Sequence, residues 1–210
     1  MYMQHELREV AEHRQTEALE RIHTLHSLMR VAPGFIRTLA CRYPGRTDQY
    51  AWLRFWDSSE QQSSFRQTPP AREFAQTRPE GLYGPLPGGI GAALNWQSIA
   101  AERIDGGPFL VRSVFEVGAG RDDEFLELRR AYQELALASK GIDTLMTFRC
   151  LDADATSTYI TVLRATGRQA VDVLLESEGA ADYRRSLPEG VYRTLVTECY
   201  EVVEELTPSS

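Results

Sequence analysis

Two histidines three residues apart, His23 and His26, are the first candidates for chemistry in this 210-residue sequence. Imidazole titrates near neutrality, so either side chain can act as a general base. Leu19, Ile22, His26 and Met29 form one stripe at helical spacing, which turns His26 inward. A hydrogen-bonded histidine at the core edge is the competing reading. Further along, Tyr50, Trp52, Arg54 and Trp56 alternate along one segment and would share a strand face. Such a face is either an aromatic wall with a guanidinium for an oxyanion, or ordinary packing with Arg54 in an ion pair. Asn95-Trp96 pairs the single asparagine with a tryptophan. The amide can polarise a carbonyl and the indole can stack on a flat substrate; otherwise Asn95 is a surface amide at a strand start. We assign His26, Arg54 and Asn95 as candidate catalytic residues and His23, Tyr50, Trp52, Trp56 and Trp96 as candidate substrate-binding residues, with no metal site.

A second set, Tyr132, Arg149, Tyr159, Arg164 and Tyr183, lies in the other half of the chain. Arg149 matches Arg42, which favours a structural ion pair for both. Arg72 and Arg78 read as a solvated face, and Glu198, Glu201, Glu204 and Glu205 as an exposed edge.

These residues sit on a duplicated framework. Glu9-Val10, Arg14, Glu17 and Leu19 recur as Glu116-Val117, Arg121, Glu124 and Leu126, an offset of 107 residues (Glu9 to Glu116). From Tyr50 onward the offset is 109 (Tyr50 to Tyr159), and Pro79–Tyr83 then matches Pro188–Tyr192. Two homologous halves are expected, 1–104 and 105–210, joined at the turn Asp105-Gly106-Gly107-Pro108. In the second half, strands are predicted at Phe109–Val117, Ile142–Leu151, Ser157–Ala165 and Thr194–Val203. A helix is predicted over Glu124–Ser139, with Asp122 as its acidic N-cap and Gly141 just past its end. A further helical region, Gln169 to Ser186, breaks at Gly179. The first half repeats this order: strand Tyr2–Val10, helix Gln15–Arg30, strands Phe35–Tyr43 and Gln49–Trp56, and a helix over Ser59–Phe74 broken at Pro69-Pro70. The Gly84–Gly91 insertion and a strand over Leu94–Ala101 complete it.

The order βαββαβ is the ferredoxin-like motif. Middle strands apolar on both faces require cover on both sides. The expected fold class is therefore α+β: two tandem ferredoxin-like repeats packed sheet to sheet as an intrachain pseudo-dimeric α+β barrel. Composition narrows the function. A net charge of −7 disfavours nucleic acid. No apolar run approaches the roughly 20 residues of a membrane span, and no secretory signal is evident. Three cysteines without CxxC spacing fit neither a disulfide framework nor a zinc cluster. A cytoplasmic protein is expected.

The chain resembles the antibiotic-biosynthesis monooxygenase (ABM) family. The resemblance rests on the order of the repeats, the Glu124–Leu126 helix opening, the Gly141–Thr144 strand and its counterpart Gly34–Thr38. The strand Tyr50–Trp56, followed by Asp57 to Phe74, is similar to the family's third strand and second helix. The resemblance implies a pocket between the helices and the sheet of one unit, lined by polar and aromatic residues. It implies a cofactor-independent oxygenase acting with O2 on an aromatic or polyketide-like substrate in secondary metabolism. The alternatives it leaves open are a heme-binding or heme-degrading protein, with His23 or His26 as ligand, and a non-catalytic small-molecule binder. The first half carries His23, His26 and all three tryptophans, so a single working pocket is expected there. A monomer with an internal pseudo-dimer, or a weak homodimer, is expected.

Overall fold

A computed structural model describes residues 1–84, 94–99, 105–151 and 157–208, with the backbone alone for 94 and 95. It divides into two compact units. The first comprises Met1–Asn95 with Val202–Ser210, and the second Trp96–Glu201.

The first unit runs β1 (Tyr2–Val10), α1 (Gln15–Met29), β2 (Phe35–Arg42), β3 (Gln49–Trp56), α2 (Ser59–Gln67), α3 (Pro69–Gln76) and β4 (Tyr83–Gly84). Its antiparallel order is β2-β3-β1-β4. Strands β5 (Leu94–Ser98) and β9 (Tyr192–Leu206) straddle the division between the units, and Trp96–Ser98 pair with β7 in the second. The second unit also contains β6 (Phe109–Val117), α4 (Asp122–Ala138), β7 (Ile142–Cys150), β8 (Ser157–Ala165), α5 (Arg168–Glu176) and α6 (Glu178–Ser186). Its order is β9-β6-β8-β7-β5. Each unit places its first strand centrally, between the third and the last, which is the ferredoxin-like arrangement. The offsets found in the sequence reappear in the elements: α1 and α4 begin 107 residues apart (Gln15, Asp122), α2 and α5 109 apart (Ser59, Arg168).

Local chemistry explains most boundaries. Ser58 caps α2 by accepting from the Gln61 amide at 3.3 Å. The helix ends at Gln67 because Pro69 and Pro70 cannot continue it; both instead open α3, where their missing N–H groups need no partner. Gly141 has φ +85°, as a residue just past a helix end requires, and a Cβ there would meet Thr166 and Ala170 below 3.0 Å. Three expectations are corrected. Asp122 does not cap α4, whose cap position is Arg121; it is the first helical residue, and its carboxylate accepts from the Tyr159 hydroxyl at 2.5 Å. Gly179 does not break the second helical region. The break is at Ser177, while Gly179 lies inside α6, where it lets the helix approach Leu135. Strand β4 was not anticipated: at two residues it is too short to show alternation. Residues 85–91 of the Gly84–Gly91 insertion, Ala100 and Ala101, and the turn Asp152–Thr156 lie outside the described residues.

Both faces of the first unit's strands are buried. Tyr2, Trp52 and Trp56 face the helices, while Met3, His5, Leu7, Ala51, Leu53 and Phe55 on the other face are almost entirely inaccessible. The double apolar pattern in β3 is the sequence trace of that two-sided burial. Between the helices and the sheet, Tyr2, Met29, Phe35, Trp56, Phe65 and Ala71 form one cluster. Each large side chain there contributes about 1.5–3 kcal/mol of hydrophobic stabilisation.

The repeats differ informatively at the turn before the first helix. Gly120 has φ +73°; the matching His13 has φ +63° and is the one non-glycine with positive φ among the described residues. A β-carbon in that region costs about 1 kcal/mol. We expect His13→Gly to raise stability by about 0.5–1 kcal/mol and Gly120→His to lower it by a similar amount, read from urea unfolding midpoints. Equal effects of the same sign would contradict this account.

Candidate functional site

The second strand pair of the first unit creates an unusual requirement. Arg54 projects from β3 toward the helices and is only 8% exposed. Its guanidinium needs an anion there, because an unpaired buried charge is costly. Register supplies one. Gln4 of β1 lies directly opposite Arg54, and Glu6 opposite Trp52, so Glu6 is the diagonal neighbour. Arg54 Nη1 donates to Glu6 Oε2 at 2.9 Å and to Gln4 Oε1 at 3.5 Å. Arg8 donates to the other Glu6 oxygen, Oε1, at 2.9 Å. Burial pushes the Glu6 pKa up, but the two guanidiniums of Arg54 and Arg8 outweigh it and the net shift is downward. Glu6 is therefore a fixed carboxylate that positions Arg54, and a weak base.

Above this pair the helices leave a cavity of about 530 Å³. Its floor is Gln4, Glu6, Trp52, Arg54 and Trp56; α1 contributes Ile22, Leu25 and Met29; α2 and α3 contribute Phe65, Phe74 and several polar residues; and Tyr83 closes one end. The volume suits one drug-sized or polycyclic ligand. Trp52 packs edge-on against Tyr83 at 5.2 Å between ring centroids. The Trp52 and Trp56 indole nitrogens are buried without an acceptor, so the rings rather than their N–H groups border the space. Burial keeps Tyr83 protonated by raising its pKa. Arg21 fastens α1 to α3: it donates to the carbonyls of Phe74 and Thr77 at the end of α3 and lies 4.0 Å from the Phe74 ring centroid.

Of the residues singled out in the sequence, the structure brings Trp52, Arg54 and Trp56 together in this cavity. Tyr50 lies in the same layer but outside the cavity lining, buried with Val10, Ala18, Ile22 and Trp52. His26 faces inward but lies against Phe35 (5.7 Å between rings), outside the cavity lining, with Nε2 unpartnered. Desolvation, with Arg30 adding to it, lowers its pKa and keeps it neutral. His23 is exposed and paired with Glu204 at 2.6 Å. Trp96, expected in the first half, belongs to the second unit, opposite Cys150 of β7. The Asn95 side chain lies outside the described residues. The C-terminal carboxylates are not a free edge: Glu204 holds His23, Glu205 holds Arg37, and Glu198 holds the buried Arg112. Sequence reasoning missed Glu6, Gln4 and Tyr83; Arg72 and Arg78 are exposed, as expected of a solvated face, and also border the cavity. The available signal was the row Gln4, Glu6 and Arg8 at alternate positions of the first strand.

In the second unit the corresponding place is packed. Arg129 stands where the first unit has Ile22; it is 6% exposed, and its guanidinium lies 5.0 Å from the Phe115 ring and 4.8 Å from that of Tyr132. Tyr132 in turn contacts Tyr183, and Phe125 contacts Tyr159 and Tyr192. Arg164 has a structural role: it donates twice to the Gly107 carbonyl, at 2.8 and 3.1 Å, and so holds the turn before β6. Arg149 lies 3.9 Å from Asp122.

The first unit is thus a ferredoxin-like α+β unit with a partly polar cavity between its helices and its sheet. Residues 1–77 match the model of the antibiotic biosynthesis monooxygenase family. Solved structures similar in fold include a candidate monooxygenase of Fusobacterium nucleatum (14% identity, TM-score 0.72, covering 98% of this chain and 94% of that one). Another is a candidate monooxygenase of Lactobacillus acidophilus (9%, 0.66, covering 99% and 97%). A third is an anthrone oxidase-like protein (14%, 0.62, covering 100% and 94%). At these identities the likeness concerns the fold. No curated protein matches the sequence. Among the described residues no helix is long and apolar enough to cross a membrane, and no cluster of three or more potential metal-ligating side chains is found.

The Glu6–Arg54 pair makes a pH prediction. A carboxylate whose folded pKa is depressed contributes stability that is present above its unfolded pKa and lost as pH falls through the folded one. Glu6→Gln leaves Arg54 without its counter-charge, and we expect a loss of about 2–4 kcal/mol at neutral pH, discounted for partial exposure. The gap to wild type should shrink as pH falls below the ordinary carboxylate range and through the lowered pKa of folded Glu6, where the wild-type carboxyl also becomes neutral. Unfolding midpoints across pH 3–7 measure this; a gap independent of pH would refute the assignment.

Proposed function

We propose that the protein is a cofactor-independent monooxygenase whose site is the first-unit cavity, acting on a phenolic aromatic substrate of the polyketide type in secondary metabolism. The observation that carries the reading is a buried, pre-positioned guanidinium, Arg54, on the floor of a cavity walled by Trp52, Trp56, Phe65 and Phe74. The family of residues 1–77 supports it. Among the described residues none lining the cavity is a histidine or cysteine, so the heme alternative finds no imidazole or thiolate ligand among them.

In this reading a flat substrate lies against the tryptophan rings with its phenol or enol oxygen toward Arg54. Positive charge fixed in a water-poor site stabilises the oxyanion and favours its formation. The electron-rich anion then reduces O2. On an anthrone, the ring CH2 gains one oxygen atom of O2, loses its two hydrogens and becomes a carbonyl; the second oxygen leaves as water. The substrate supplies all the electrons, so the protein supplies position, charge and exclusion of water. Ile22, Leu25 and Met29 provide the apolar side where O2 can dissolve. Glu6 stays ionised and holds Arg54 in place.

The test is oxygen uptake and quinone absorbance with a dihydroxyanthrone, measured above the uncatalysed rate. Arg54→Lys keeps a charge but loses the planar fork that engages Glu6 and Gln4. We expect kcat to fall about 10–100-fold with KM changed little and the circular dichroism spectrum retained. No uptake by the wild type, or wild-type rates in Arg54→Lys, would overturn the proposal.

A further inference from the structure

Five guanidiniums border the first-unit cavity: Arg21, Arg54, Arg66, Arg72 and Arg78. One carboxylate lines it, Glu6, and that one is shared between Arg54 and Arg8. Arg21 donates to two backbone carbonyls, which leave its charge uncancelled. Arg66, Arg72 and Arg78 have no carboxylate partner among the described residues; Arg78 only lies 5.4 Å from the Tyr83 ring centroid. Elsewhere on this acidic chain several surface arginines sit in local pairs, such as Arg14–Glu17, Arg121–Glu124 and Arg185–Asp182.

The repeat provides an internal control. At the offsets of 107 and 109 residues, the five arginines correspond to Leu128, Leu163, Leu175, Ala181 and Leu187. The same scaffold therefore folds with an apolar residue at every one of these places. The scaffold does not explain the arginines, and their convergence on one cavity does not follow from the acidic composition. The charges are also graded by depth: Arg54 is buried, Arg21 half-buried, and Arg66, Arg72 and Arg78 exposed at the rim. One cation suffices for a phenolate formed inside, which leaves the rim cluster without a role in that chemistry.

We propose that the site selects an aromatic substrate bearing a permanent carboxylate, held at the rim by Arg66, Arg72 and Arg78 while its phenolic ring reaches Arg54. This rests on the cavity being the substrate site argued above. Guanidinium matches the planar, two-oxygen geometry of a carboxylate, and an exposed cluster also draws an anionic ligand in by its field.

The experiment is calorimetric titration of the full chain with a dihydroxyanthraquinone and with its ring carboxylate, both shaped like the product and neither oxidised in the reaction. The carboxylate should bind at least about ten-fold tighter at low salt, with the advantage shrinking as salt screens the rim. The triple variant Arg66→Gln, Arg72→Gln, Arg78→Gln, all at exposed positions, should bind the two quinones equally. Equal affinities in the wild type, or a preference untouched in the triple variant, would overturn the proposal. If neither quinone binds, the assignment of the cavity falls and takes this proposal with it. Equal binding with intact oxygen uptake removes only the carboxylate. A salt-sensitive carboxylate preference without oxygen uptake keeps the selectivity and removes the oxygenase chemistry.

Discussion

A guanidinium on the helix-facing side of a central strand constrains everything around it. Arg54 cannot be buried alone, and the antiparallel register of β1 and β3 brings Glu6 to it diagonally and Gln4 directly. Arg8 then completes the balance around Glu6. Once this polar group occupies the floor, the helices cannot close onto it with apolar side chains as they close onto Trp56 and Phe35. The result is a cavity with a charged floor and aromatic walls. The position and the charge that the proposed reaction would require of the protein thus follow from one strand residue and one register.

The two units show two solutions on one scaffold. In the first, large residues stand on the sheet (Trp52, Arg54, Trp56) and small or branched ones on the facing helix (Ala18, Ile22, Leu25). In the second the pattern reverses: Thr161, Leu163 and Ala165 on the sheet face Phe125, Arg129 and Tyr132 on α4. Volume is exchanged across the layer. In the first unit the exchange leaves space; in the second, stacked rings and the Arg129 guanidinium occupy it. Among the described residues no carboxylate pairs with the buried Arg129, and desolvation lowers its pKa. Its charge is offset by the faces of the Phe115 and Tyr132 rings and by the nearby tyrosine hydroxyls, Tyr183 above all, an environment worth less than an ion pair's Coulomb term in the same place.

The fold was largely legible because its signals are local. Strand-type residues and the repeat gave β1, β3, β6 and β8 with the residues at which they begin and end, the proline pair separated α2 from α3, and Gly141 marked a helix end. The repeat offset carried the element order from the better half of the chain to the worse. Boundaries that failed did so where a local signal had a non-local competitor. Asp122 has the chemistry of a cap, yet its carboxylate is taken by Tyr159, a residue 37 positions away. Gly179 has the chemistry of a breaker, yet it serves the approach of one helix to another.

The candidate site was legible only in part, for the same reason. By itself the sequence determined that Trp52, Arg54 and Trp56 share a face, because strand alternation is a property of neighbouring residues. It determined that His26 turns inward, since helical spacing is equally local. What lies opposite Arg54, and whether His26 turns toward a cavity or toward Phe35, depends on register and on which helix packs where. The partnering of His23 with Glu204 joins residues 181 positions apart. Pairings over such distances are decided when the layers pack, by the need to neutralise charge and fill volume. Only the tertiary structure therefore turned a row of alternating side chains and a scatter of arginines into one cavity with a charged floor and rim.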